Sequence, residues 1–134
     1  MKRLGDRTNL LCPHRQVLDA RVAMMFGSDN MPTGHLYGIW AATHAPNEAQ
    51  RISFEEALAA YTIMGQRHSG REQGNLKAGE RADIVVIAPE DLKGMEGPAA
   101  NNFEEFSKMV KTAQSEYLKL RTIKTILAGK EVKR

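Results

Sequence analysis

Apolar and polar positions change period several times along the 134-residue chain. Pro13 opens a short helix through about Ala20 that turns Val17 and Leu18 inward, and "VAMMF", Val22 to Phe26, then reads as a buried strand ended by Gly27. After a loop from Ser28 to Gly34, "HLYGIWAATHA" sets Leu36, Ile39, Trp40 and Thr43 at helical spacing, and Pro46 stops the run. The strongest start signal is "SFEEAL", in which Ser53 accepts from the first turn and Glu56, three residues on, reaches back as a capping box. The spacing predicts a helix from Phe54 to about Met64, with Phe54, Ala57, Leu58, Tyr61, Ile63 and Met64 facing the core, before Gly65, His68 and Gly70 mark a polar exit.

The texture then becomes β-like. Gly74 and Gly79 form turns, the β-branched run Ile84 to Ile87 predicts a strand, and Pro89 closes it. A turn-rich stretch from Gly94 leads to Asn102, which with Glu105 repeats the capping pattern ahead of an amphipathic helix of about four turns carrying Phe106, Val110, Ala113 and Tyr117. "TIKTILAGKEVKR" alternates through Ile123, Thr125 and Leu127, turns at Ala128 and Gly129, and resumes at Val132, which is a β-hairpin pattern. There is no internal repeat and no low-complexity segment.

This length supports one compact domain with its own core, and 42% hydrophobic with 26% charged residues is the balance of a globular protein. The formal charge of +3, from 19 basic and 16 acidic residues, is a weak excess spread over most of the chain rather than gathered into one arm, though much of it lies late, from Lys108 to Arg134. That segment offers only Tyr117 for stacking on bases, so a solvated basic face is the reading and nucleic-acid binding ranks last. A single cysteine, Cys12, excludes an internal disulfide and fits a reducing interior, with the cytoplasm as the default location. No stretch approaches the roughly 20 apolar residues of a membrane span, and "MKRLGDRTNLLCPHR" lacks the apolar segment of a signal peptide.

Among candidate chemical groups, Asp29 follows an apolar run at the point where barrel-type α/β folds carry their reacting groups. Two readings stand for it: a functional carboxylate, or an Asx turn in which the acid bonds its own loop. His14, His35, His44 and His68 show no paired ligand spacing, and His35 lies nearest the Asp29 loop, either as a contact at the same mouth or as a solvent-facing helix start. Pro13 separates Cys12 from His14 with no orienting third group, so Cys12 reads as structural. Ser28 lacks a nucleophile elbow and Gly74 to Gly79 lacks the Lys and Ser or Thr of a phosphate loop.

Five stretches in order, "PHRQVLDARVAMMFGSDNMP", "GIWAAT", "RISFEEALAAYTIMGQRHSG", "GNLKAGERADIVVI" and "IKTILAGKEV", resemble the C-terminal part of the amidohydrolase superfamily, nearest its amidohydrolase-3 branch. The resemblance implies an α/β fold: a fragment of a metal-dependent (β/α)8 barrel, its last strand and flanking helices over residues 1–70, then the C-terminal half of a β-sandwich over 71–134 with an inserted amphipathic helix. It implies that Asp29 ends the last barrel strand, ligates or faces a divalent metal, zinc in the family, and takes a proton from the attacking water. His35 is at most a substrate contact.

A complete barrel needs roughly 250 residues, so the family's other ligands have no counterpart here and a metal would find at most one ligand in this chain. The leading expectation is the C-terminal part of a hydrolase of non-peptide C–N bonds, not catalytic alone, acting on a small molecule only when complete. The alternative is a non-catalytic assembly or binding module derived from such an enzyme. The segment from Gly94 to Leu120, longer than the usual connection, is expected to cover a bare sheet face or edge, and exposed edges point to a homo-oligomer or to a missing N-terminal half as partner, with no nucleic acid and no membrane.

Overall fold

The computed structural model describes residues 7, 11–28, 34–70, 74–88, 92, 95, 99–117 and 122–132. Helix α1 spans His14–Asp19, α2 His35–Thr43, α3 Phe54–Tyr61 and α4 Ile63–His68; strand β1 is Ile84–Ile87, helix α5 is Phe103–Tyr117, and strands β2 and β3 are Thr122–Leu127 and Lys130–Glu131. Among the described residues, helices and a small antiparallel sheet thus make a mixed α and β chain, and no helix is long and apolar enough to cross a membrane.

The α3 start forms as its sequence dictates. Ser53 Oγ accepts from the Glu56 amide at 3.1 Å, and the Glu56 carboxylate accepts from the Ser53 amide at 2.8 Å, so two otherwise unpaired donors are satisfied together. The same carboxylate accepts from the Arg15 guanidinium, which fastens α1 to α3. The Ser53 amide and then Arg15 hold the Glu56 carboxyl below its usual range. The helix expected to reach Met64 breaks at Thr62, whose φ and ψ are −121° and −90°. Thr62 Oγ1 donates to the Leu58 carbonyl at 2.8 Å, and the Ala60 carbonyl accepts from the Phe26 amide at 3.0 Å. Side-chain back-bonding and an outside donor thus compete with helix continuation.

The core lies where α2 crosses α3. Leu36, Ile39, Ala42, Ile52 and Ala57 are buried together, with Leu18, Phe26, Phe54, Tyr61 and Ile87 packed around them. Leu36 and Ile39, at helical spacing, each contribute about 1.5–3 kcal/mol through burial. Leu58, expected in this stripe, is exposed instead, because the side of α3 turned to the core is the one carrying Ala57 and Ala60.

A second cluster joins Tyr37, Trp40 and Ala113, with Phe106, Met109 and Val110 against them. The Trp40 and Phe106 rings stack with centroids 5.6 Å apart and planes within 5°. Among the described residues helix α5 therefore packs on α2 rather than on the sheet face or edge expected from the sequence, because Phe106, Val110 and Ala113 form a stripe that matches Trp40. Asn102 Oδ1 caps α5 by accepting from the Glu105 amide at 2.9 Å, and Glu105 accepts in return from the Asn101 amide at 2.8 Å. Arg51 fixes the approach by donating to the Ala45 carbonyl at 2.7 Å and to the Ala100 carbonyl at 2.5 Å.

The sheet order is β1-β2-β3, antiparallel throughout, with Ile84 opposite Ile126 and an irregularity between Val86 and Ile87. The β2–β3 turn carries positive φ at Ala128 (50°) and Gly129 (79°), the pattern of a two-residue hairpin turn. Asp83 and the preceding carbonyl hold it: Asp83 Oδ1 accepts from the Ala128 amide at 2.7 Å and the Ala82 carbonyl from the Gly129 amide at 2.9 Å.

One expected strand does not form. Residues 22–26 have no ladder partner among the described residues, and Val22 and Met25 are 55% and 54% exposed. An apolar run becomes a buried strand only when neighbouring strands supply its hydrogen bonds; here the Val22 amide bonds back to the Val17 carbonyl, Met24 packs on the core, and the Phe26 amide reaches the Ala60 carbonyl.

Candidate functional site

A cavity of about 380 Å³ opens beside the loop that the sequence singles out. Ser28 and Gly34, which flank residues 29–33, both line it. Its floor is α2. Gly38, Ala41 and Ala42 of α2 and Ala45 just beyond it recur at helical spacing with nothing longer than a methyl group, and Tyr37 is the one bulky α2 residue of the lining. One wall is a series of edge-on rings: His14 against Phe26 at 5.1 Å and Phe26 against Tyr61 at 5.4 Å. Phe103 and Phe106, at the start of α5, also line the cavity.

Gly38 is the fixed point of this geometry. A Cβ there would stand 2.7 Å from Tyr61 Cζ and 3.0 Å from Cε2, and closer still to the hydroxyl, so the absent side chain is what admits the tyrosine. The Tyr61 hydroxyl hydrogen-bonds Ser28, which tends to lower its pKa, but burial outweighs this and raises it. Tyr61 is therefore a neutral phenol at pH 7. Burial lowers the His14 pKa, which keeps its imidazole neutral, and His14 Nδ1 is buried without a protein partner. Cys12, read as structural, is a free, exposed thiol at the rim, in a left-handed conformation with φ of 50°.

Asp29 lies outside the described residues. His35 is the first residue of α2, exposed and not part of the cavity lining. The cavity instead brings together His14, Tyr61, Tyr37, Phe103 and Phe106. Sequence reasoning had placed Tyr61 and Phe106 in core stripes; the signal it missed is the small-residue spacing in "GIWAATHA", which marks a concave helix face. Among the described residues no three His, Cys, Asp or Glu side chains gather as a metal would require. The described residues therefore do not fit a self-contained metal centre.

Residues 3–132 match the Amidohydrolase family, and the chain belongs to that family. Its curated relatives include proteins named probable imidazolonepropionase. The Bos taurus protein is 33% identical over 78 residues, covering 54% of this chain and 18% of the relative. The Nematostella vectensis protein is 36% identical over 80 residues, covering 58% of this chain and 19% of the relative, and the Homo sapiens protein is 32% identical over 78 residues. The matched stretch is thus under a fifth of these relatives' length. No solved structure matches the chain.

Proposed function

We propose that this chain is the C-terminal part of a metal-dependent hydrolase of non-peptide C–N bonds, and that it is not catalytic alone. The observation that supports this most strongly is the family match across residues 3–132, set beside relatives of which the chain covers under a fifth. In this reading Asp29 accepts a proton from the attacking water, the role general bases play near neutral pH when positioned within hydrogen-bond reach. The remaining ligands come from another polypeptide, and a cytoplasmic setting fits the single reduced cysteine.

The test is co-expression of this chain with a polypeptide carrying the remainder of the barrel, followed by hydrolysis assays on cyclic amides that include imidazolone propionate. Asp29→Asn should lower turnover by roughly 10²–10⁴-fold, the usual contribution of a general base. Unchanged turnover removes Asp29 from the mechanism. Stoichiometric zinc on the isolated chain, measured by elemental analysis, would refute the sharing of ligands. Binding without hydrolysis in every pairing would favour the assembly-module reading.

The sheet supports a partner of its own. Strand β3 is two residues long and charged, which guards its edge, whereas β1 is "IVVI" with neither charge nor proline. Val85, Ile123 and Leu127 share the period-2 face opposite Lys124 and are all exposed. A homodimer pairing β1 with its copy would extend the sheet and cover part of this apolar surface.

A further inference from the structure

We infer that the cavity between α2, α5 and the Phe26–Tyr61 wall is a binding site for a flat, uncharged ring compound of one or two fused aromatic or heteroaromatic rings. At about 380 Å³ it falls within the roughly 300–1,000 Å³ typical of small-molecule sites. Its shape follows from residue size: Gly38, Ala41 and Ala42 of α2 and Ala45 after it leave a shallow strip, while Phe26, Tyr37, Tyr61, Phe103 and Phe106 supply aromatic walls. Aromatic walls favour a ring that meets them edge-on or offset, with centroids about 4.5–7 Å apart.

Charge selects the ligand further. Among the described lining residues there is no Asp, Glu, Lys or Arg. Of the titratable lining rings, His14 is neutral at pH 7 because burial lowers its pKa, and Tyr61 because burial raises its own. An ion held against these described residues would lose its hydration and gain no countercharge from them, which is costly. One polar edge is accommodated at the hydroxyl pair of Ser28 and Tyr61.

The reporter is built in. Phe106 lines the cavity and stacks on Trp40, the chain's one tryptophan, so a ring beside Phe106 alters the environment of the Trp40 indole. The inference stands apart from the hydrolytic reading, because it needs neither a metal nor the remainder of a barrel.

The experiment titrates the full chain, with chelator present at pH 7.5, with benzimidazole, benzoate and benzylammonium. Saturation-transfer NMR and the Trp40 indole N–H resonance report binding. Benzimidazole should bind with Kd of about 1 mM or tighter, and at least tenfold tighter than either ion. Ala41→Phe, which fills the floor, should weaken it at least tenfold. Phe103→Ala, which removes one wall without overpacking, should weaken it several-fold and serves should Ala41→Phe fail to fold. Leu76→Ser, at an exposed position outside the lining, should leave binding unchanged. Absence of benzimidazole binding, equal binding of the ions, or indifference to both cavity variants would overturn the inference.

Discussion

Gly38→Ala should destabilise this protein although alanine is the better helix former. In an exposed helix interior the exchange gains about 1 kcal/mol. Here the new Cβ would meet Tyr61 Cζ at 2.7 Å and Cε2 at 3.0 Å. The ring cannot slide freely, because it packs edge-on against Phe26 at 5.4 Å and its hydroxyl bonds Ser28. Overpacking of this kind costs about 1–3 kcal/mol, and a lost hydroxyl bond about 1 kcal/mol more. Against the helix gain, the net loss is about 2 kcal/mol, or a Tm lower by roughly 5–10 °C for a domain of this size. Urea unfolding followed by far-UV circular dichroism measures it. The decisive comparison is a double-mutant cycle. In a Tyr61→Leu background, where the ring is gone, Gly38→Ala should change sign and stabilise by up to about 1 kcal/mol. A stabilising effect of Gly38→Ala in the wild-type background would refute the reasoning.

Burial depresses the His14 pKa below its usual 6.5, so the unfolded chain takes up that proton first; stability should be complete above about pH 6.5 and fall as pH drops below it, and His14→Phe should flatten this part of the curve measured by urea titration. Ala128 occupies the left-handed region at φ 50°, at a cost of about 1–2 kcal/mol that Asn largely avoids, so Ala128→Asn should raise stability by about 0.5–1 kcal/mol in thermal unfolding. Val85→Lys places like charges across the proposed two-fold of β1, and native mass spectrometry should show a dimer in the wild type and a monomer in the variant.

Local chemistry was the legible part of this chain. The capping box at Ser53 and Glu56, the strand Ile84 to Ile87 and the turn at Ala128 and Gly129 all formed as their patterns indicate, because each is decided by residues within a few positions of one another. The expected strand at Val22 to Phe26 did not form, since pairing depends on partners that a local pattern cannot show. The placement of α5 is a similar case: its apolar stripe was visible, but its partner was Trp40, more than sixty positions earlier in the chain, rather than the sheet beside it in sequence. At the site, attention fell on the polar residues Asp29 and His35, whereas the cavity is defined mainly by absence of bulk, at Gly38, Ala41, Ala42 and Ala45.

Of the three described strands, β1 alone reaches the main helical core, and it does so through Ile87. With that one contact to the core among the described residues, the sheet is expected to open as a separate cooperative unit. Amide exchange in β1 and β2 should proceed by opening that leaves α2 and α3 intact, at a lower free energy than the amides around Ile39 require. Such a module could trade strands with another polypeptide while the helices keep their shape, and the proposed assembly would then be an event separate from folding.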